Sequence, residues 1–191
     1  DNLNFKEKAG KYIDFLNANA YDKERDVRTN IAGEFQKSNL AAALQTAELI
    51  CGRLDEDKIY EALSQIRISG RMEEIAPGII VDVSHNIQGM QGFVQTVEAN
   101  YHGMKKRILF AASHQNEEEY MKNILKTIPE IEAFYTVGIH KRRIDEAEFQ
   151  DAFRKMIDRN QETTVCFVVG SFYLAGMAKE FINQEEENVR L

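Results

Sequence analysis

The sequence is poor in several features whose absence narrows the classes of protein it can encode. It has no tryptophan, and its two cysteines, Cys51 and Cys166, lie far apart without a C-x-x-C pair or a Cys/His cluster. Neither a disulfide framework nor a zinc site is therefore supported. No apolar run approaches the roughly 18 residues of a membrane-spanning helix, and the first residues lack the pattern of a signal peptide. These absences predict a cytoplasmic protein.

An excess of basic residues is also missing, because the formal net charge is -7 at pH 7. Nucleic-acid binding needs clustered Lys and Arg side chains that neutralise phosphates. The basic runs here are short, and both Lys105-Lys106-Arg107 and Lys141-Arg142-Arg143 are predicted to be solvated ends of secondary-structure elements. We therefore expect neither a nucleic-acid nor a membrane partner.

The composition is otherwise that of a folded globular protein, with 43% apolar and 29% charged residues in a chain of 191. This length suits one sizeable domain with a smaller appended unit. The sequence begins with Asp1 and not with Met. That start suggests a cut fragment or a processed chain.

From Gly78 onward the sequence alternates between buried-strand and amphipathic-helix patterns. Continuous apolar runs predict strands, and apolar residues at helical spacing predict a helix after each of them. The predicted strands cover 78–82, 107–112, 132–137 and 164–169. Four such units in succession predict an α/β fold with a mostly parallel, doubly wound sheet.

The first 68 residues follow a different pattern. Strands are predicted at 11–16 and 26–31, followed by one helix from near Gln36 and another from about Asp55 to Gln65, with Asp55 as its N-cap. This stretch has no obvious core of its own. We therefore expect it to complete or abut a domain outside the chain.

The segment Asp82-Val83-Ser84-His85-Asn86 is the strongest candidate for chemistry. It follows a predicted buried strand and precedes a helix, and ligands of open α/β sheets bind beyond the carboxyl ends of strands. The alternative is structural: Ser84 or Asn86 would cap the helix and Asp82 would be an internal acceptor. The spacing alone does not decide between these interpretations.

Two further segments could bind an anion. Arg71 follows Ser69-Gly70 at a predicted hinge, and its planar guanidinium suits phosphate oxygens, although most isolated arginines are surface charges. The segment from Gly170 to Gly176 opens a helix after a buried strand, but tight helix-strand packing would explain both glycines. The sequence contains neither a G-x-G-x-x-G nor a G-x-x-x-x-G-K-[ST] motif.

Four segments together resemble the ordered motifs of folylpolyglutamate synthase/dihydrofolate synthase, a family within the Mur ligase superfamily. The resemblance covers essentially the whole chain, and no single motif is decisive. The segments are Gly33-Glu34-Phe35-Gln36-Lys37-Ser38-Asn39, Ser69-Gly70-Arg71-Met72-Glu73, Asp82-Val83-Ser84-His85-Asn86 and Val169-Gly170-Ser171-Phe172-Tyr173-Leu174-Ala175-Gly176.

The resemblance implies that residues 1–68 end a central ATP-binding domain and that 69–191 form a Rossmann-like Mur ligase C-terminal domain. It implies a ligase that uses ATP and Mg²⁺ to join glutamate to a folate or dihydropteroate carboxyl through an acyl phosphate. In the family, the phosphate loop and metal ligands lie in a more N-terminal part. The chain is therefore expected to be inactive alone, and the protein is expected to be a monomer.

The resemblance also assigns roles to four residues and no metal ligand. Asn39 would approach the nucleotide base and Arg71 the phosphates, while Asp82 and His85 would close over nucleotide and substrate. Arg71 and His85 are the predicted catalytic residues.

The chain departs from the family pattern at three places. The usual D-G-A-H-N carries Val83 in place of its glycine, Phe35 stands where histidine is common, and the usual D-K-D is replaced near His114-Gln115-Asn116. The alternatives are another Mur-type ligase or a non-catalytic binding domain on the same fold.

Overall fold

The computed structural model describes residues 34–66, 68–113, 115–140, 143–157 and 163–189. It divides the chain into two compact units, Asp1–Ser69 and Gly70–Leu191. The strands predicted at 11–16 and 26–31 lie outside the described residues. The interpretation of the first unit as the end of an ATP-binding domain stays a prediction.

The described part of the first unit consists of two helices, α1 (Glu34–Cys51) and α2 (Glu56–Gln65). The predicted N-cap of α2 is confirmed, because the Asp55 carboxylate accepts hydrogen bonds from the amides of Asp57 and Lys58. A small apolar cluster joins the two helices and contains Leu40, Ala41, Leu44 and Leu63.

The second unit contains seven strands and four helices within the described residues. A 3-10 turn, Gln115–Glu117, precedes the second of these helices. In chain order the elements are β1 (Glu73–Ala76), β2 (Ile79–Asp82), α3 (Ile87–Asn100), β3 (Lys105–Phe110), α4 (Glu118–Leu125), β4 (Ile131–Thr136), β5 (Ile139–His140), β6 (Arg143–Ile144), α5 (Glu146–Ile157), β7 (Thr164–Val169) and α6 (Phe172–Val189).

The main sheet has the order β1-β2-β7-β3-β4. Of its four strand pairings, only that between β1 and β2 is antiparallel, since β2, β7, β3 and β4 run parallel to one another. The predicted mostly parallel sheet is therefore confirmed. Two elements were not predicted: β1, and the small antiparallel hairpin of β5 and β6.

Both faces of the sheet are covered, as a doubly wound fold requires. On one face, α5 and α6 pack against the side chains of Ile79, Val81, Leu109 and Val168. On the other face, α3 and α4 pack against Ile80, Ile108, Phe110 and Phe167. Alternate residues of each central strand thus enter opposite cores, which explains the continuous apolar runs in the sequence.

The amino edge of the sheet, where β3 and β4 begin, corrects one sequence prediction. Lys105-Lys106-Arg107 is not simply a solvated end, because β3 already begins at Lys105 and the Lys106 side chain is fully buried. Its ammonium contacts the Glu130 carboxylate at 2.8 Å. Arg107 contacts Glu132 at 2.9 Å. Lys141-Arg142 lie outside the described residues.

The last helix, α6, continues through Glu185-Glu186-Glu187 to Val189. Glu185 on this helix contacts Arg154 at 3.2 Å. Of the helices that the structure describes, none combines the length and apolarity needed to cross a membrane.

Candidate functional site

The carboxyl edge of the sheet is where β2, β3 and β7 end and where polar residues follow them. Two helices that begin here, α3 and α6, carry no acidic residue in their first turns. By contrast, α4 begins with Glu118 and Glu119, and α5 with Glu146 and Glu148. The positive ends of α3 and α6 are therefore not neutralised by their own side chains, which favours an anion at this edge.

Asp82 ends β2 and is almost completely buried, with 1% of its surface exposed. Its Oδ1 accepts a hydrogen bond from the Ser84 amide at 2.8 Å, and its Oδ2 accepts one from the Met72 amide at 3.0 Å. Burial raises the pKa of the Asp82 carboxyl, while the Ser84 side chain, these amides and the charge of Arg71 oppose the rise.

Ser84 and Asn86 have different roles in the loop after β2. Asn86 is the N-cap of α3, because its Oδ1 accepts a hydrogen bond from the Gly89 amide at 2.7 Å. The Ser84 hydroxyl is buried and has no aligned hydrogen-bond partner among the described residues. It lies beside the Asp82 carboxylate and lowers the pKa of that carboxyl. The capping interpretation thus holds for Asn86 and fails for Ser84.

His85 is oriented by its own backbone. Its Nδ1 lies 3.0 Å from the Val83 carbonyl oxygen, which can only accept, so Nδ1 carries the proton. In the neutral ring, Nε2 is then the free acceptor. One side of the ring packs against Phe172 at the start of α6, with 5.5 Å between ring centroids. No local sequence pattern predicts this aromatic contact.

Arg71 lies on a turn, Gly70–Glu73, at the start of the second unit, and it is half-buried. Gly70 has φ +72° and Met72 has φ +43°, so both residues flanking Arg71 are left-handed. Glycine accepts this conformation freely, whereas methionine does so only under constraint. The charge of Arg71 opposes the rise in the pKa of Asp82, which links this turn to the loop after β2.

The loop after β2 does not require a glycine at the position of Val83. Among the described residues, the non-glycines with positive φ are Met72 and Glu130, so Val83 has an ordinary backbone conformation. Its side chain is 3% exposed and belongs to the core beneath α5 and α6. The departure from D-G-A-H-N is thus accommodated by packing.

In the segment after β7, tight packing explains one of the two glycines. Gly170 has φ +107°, and a Cβ atom there would lie 2.5 Å from the Ala111 carbonyl oxygen, so close packing requires this glycine. Gly176 is different, since a Cβ atom there would meet nothing within 4 Å. Packing therefore does not explain Gly176, contrary to expectation. Ser171 directly precedes α6, and its hydroxyl accepts a hydrogen bond from the Tyr173 amide at 3.1 Å.

The other candidates lie elsewhere. Asn39 is exposed on α1 in the first unit. Cys166 is a buried core residue on β7, and burial raises the pKa of its thiol to about 11. His114 lies outside the described residues.

The carboxyl edge has features that favour an anion. The N-termini of α3 and α6, which lack acidic residues, are suited to anionic oxygens. Within the described ranges, no group of three His, Cys, Asp or Glu side chains could hold a metal ion.

The strand order and the two-sided helical cover define the second unit as a Rossmann-like α/β domain. Among solved structures, E. coli FolC in complex with DHPP and ADP is similar at a TM-score of 0.64 and 16% identity, over 79% of this chain and 39% of that chain. Folylpolyglutamate synthase from Thermotoga maritima is similar at a TM-score of 0.58 and 22% identity, over 83% of this chain and 41% of that one.

A curated relative adds a likeness in sequence. Dihydrofolate synthase/folylpolyglutamate synthase of Bacillus subtilis is 23% identical over 109 residues, which are 54% of this chain and 25% of that protein. No protein-family model matches the chain. The predicted resemblance to folylpolyglutamate synthase/dihydrofolate synthase is confirmed, and the chain spans about two fifths or less of the length of these proteins.

Proposed function

We propose that the chain forms the C-terminal part of an ATP-dependent ligase that joins glutamate to a folate or dihydropteroate carboxyl. The likeness to E. coli FolC, whose structure contains DHPP and ADP, supports this substrate class. Because the chain spans only 39% of that protein, we further propose that it is inactive alone. A cytoplasmic location and a monomeric state complete the proposal.

One observation carries the proposal beyond the likeness in fold. At the carboxyl edge, the N-termini of α3 and α6 lack acidic first turns, and the half-buried Arg71 lies close enough to Asp82 for its charge to lower the pKa of that carboxyl. Helix N-termini and a guanidinium group both favour anionic oxygens. Together they suit a phosphate or carboxylate group.

Roles for the chain's own residues follow from this arrangement. Arg71 would hold phosphate oxygens with its planar guanidinium. His85 would present Nε2 as an acceptor, suited to the protons of an incoming amine. Asn39 is assigned to the nucleotide base and Asp82 to the closure of the site. ATP, when bound with Mg²⁺, supplies the phosphoryl group that activates the substrate carboxyl.

The test uses an extended polypeptide, which contains this chain together with the residues encoded upstream of it. We expect those upstream residues to include a G-T-x-G-K-[GS] phosphate loop. Incubation with ATP, Mg²⁺, glutamate and either dihydropteroate or tetrahydrofolate should yield the glutamyl product by mass spectrometry, with one ADP per bond formed. The 191-residue chain alone should yield none.

Other outcomes would identify the alternatives. ATP hydrolysis that depends on a different acid and amino acid would indicate another Mur-type ligase. An upstream sequence without a phosphate loop, combined with no ligation of any acid, would contradict the proposal and favour a non-catalytic binding domain.

A further inference from the structure

A carboxylate that ends a strand at this edge of a sheet is usually expected to contact ligand. The surroundings of Asp82 indicate a different role. With 1% of its surface exposed, it offers almost nothing to a ligand. Each of its oxygens accepts one backbone amide, and the two amides belong to different segments. A single carboxylate thus connects the Gly70–Glu73 turn to the loop that carries His85.

The turn needs such a connection because its backbone conformation is energetically unfavourable. Met72 adopts φ +43°, which a residue with a side chain keeps only where its surroundings hold it. The hydrogen bond from the Met72 amide to Asp82 Oδ2 fixes this residue directly. Arg71 precedes Met72, so the same bond fixes the backbone from which the guanidinium extends.

Two further contacts hold the other end of the turn. The Val83 amide donates to the Gly70 carbonyl oxygen at 2.8 Å. The Val83 side chain also fills the space beside Gly70, where an added Cβ atom would lie 2.7 Å from a Val83 methyl carbon. Valine in place of the glycine of D-G-A-H-N therefore locks the two segments together.

Glu73 closes the turn from its far side. Its carboxylate accepts a hydrogen bond from the Gly70 amide and contacts the Lys179 ammonium of α6 at 2.7 Å. The turn is thus tied to β2, to the loop after β2 and to α6, all within the second unit.

We propose that Asp82 is a positioning residue, which with Val83 clamps the Gly70–Glu73 turn to the loop after β2 so that Arg71 and His85 extend from one rigid support. The proposed ligase function gives this clamp its purpose, because both residues would act on the same reactants. Asp82 then acts through the backbone and not by contact with ligand.

Amide hydrogen exchange in the 191-residue chain, followed by NMR, tests the clamp without any assumption about activity. The Met72 amide should exchange at least about tenfold more slowly than the neighbouring Arg71 amide, for which the described residues provide no acceptor. Asp82→Ala, which removes both acceptor oxygens, should remove most of this protection and leave strand amides such as that of Val168 unchanged. Asp151→Ala, which removes an exposed carboxylate on α5, is the matched control.

Two results would overturn the clamp: equal exchange at Met72 and Arg71 in the unaltered chain, or unchanged Met72 exchange in a folded Asp82→Ala variant. If that variant does not fold, the comparison within the unaltered chain still decides. Glu73→Ala offers a second check, since it should accelerate exchange at Gly70 and not at Met72.

A double-mutant cycle, measured as kcat/KM for ligation by the extended polypeptide, tests whether the clamp positions Arg71. Asp82→Ala should lower kcat/KM at least about tenfold in the presence of Arg71, and should have little further effect once Arg71→Ala is in place. Additive losses would contradict positioning through Arg71. Absence of ligation in the unaltered polypeptide would reject the proposed function, while the exchange measurements would still decide the clamp.

Discussion

The two edges of the central sheet satisfy their buried polar groups in different ways. At the amino edge, side chains pair with side chains, as Lys106 does with Glu130. At the carboxyl edge, the buried Asp82 carboxylate pairs instead with the backbone amides of Met72 and Ser84. Pairing between side chains is typical of a structural edge. The helix N-termini without acidic residues favour an anion at the carboxyl edge.

The largest difference in stability between the two edges should appear when one glycine at each edge is replaced by alanine. Gly170→Ala places a Cβ atom 2.5 Å from a backbone oxygen at φ +107°, so the free energy of unfolding should fall by about 3 kcal/mol or more. Gly103→Ala at the amino edge has φ +76° and open space, so it should cost only about 1 kcal/mol. Urea denaturation measures both, and equal losses would contradict the packing argument.

The ion pair at the amino edge should respond unequally to the loss of either partner. Glu130→Gln leaves the fully buried ammonium of Lys106 without its countercharge and should clearly lower the thermal unfolding midpoint. Lys106→Met leaves a half-exposed carboxylate that water can solvate, so stability should stay within about 1 kcal/mol of the unaltered chain. The reverse order of effects would show that Lys106 is not held by Glu130.

The two edges should also respond to acid with opposite signs. The Lys106 ammonium lowers the pKa of Glu130 below its ordinary value of 4.5, so its stabilising contribution is complete above that value and is lost as the pH falls. Burial raises the pKa of Asp82 above 3.8, so its contribution is present at low pH and is lost as the pH rises through the raised pKa.

Denaturation from neutral pH down to about pH 3.5 separates these contributions. Glu130→Gln should flatten the loss of stability on acidification, whereas Asp82→Asn should steepen it. Identical pH profiles for the two variants would contradict the assignment of opposite shifts.

The smallest effect is expected at Gly176, which lies within α6 beyond the carboxyl edge. An added Cβ atom meets nothing within 4 Å, so Gly176→Ala should raise the free energy of unfolding by roughly 0.5 to 1 kcal/mol through helix propensity. A loss of stability would indicate a contact that the structure does not show. The result distinguishes Gly176 from Gly170, which the sequence alone places in one motif.

The fold of the second unit could be predicted because its central strands are continuously apolar. Val81, Phe167 and Val168 show no exposed surface, and a strand buried on both faces leaves that pattern in the sequence. Strand β1 could not be predicted, since Glu73-Glu74-Ile75-Ala76 is neither alternating nor continuously apolar. The burial of Lys106 depends on a partner 24 residues away, which no local pattern reveals.

The candidate site could be predicted only at the level of segments. The resemblance identified Arg71, Asp82 and His85, and the structure places all three in the second unit. It could not reveal that Asp82 accepts the Met72 amide, because that bond joins residues ten apart through a left-handed turn. The contact between His85 and Phe172 likewise depends on the adjacent positions of β2 and β7.

The central claim is that the carboxyl edge acts on ligand through Arg71. Its most direct test is the ligation rate of the extended polypeptide with Arg71→Ala, compared with Arg154→Ala, which alters an exposed arginine on α5. We expect kcat/KM to fall by about a hundredfold or more for Arg71→Ala and to stay unchanged for Arg154→Ala, with both variants folded. Full activity of Arg71→Ala, or equal losses in the two variants, would contradict the account.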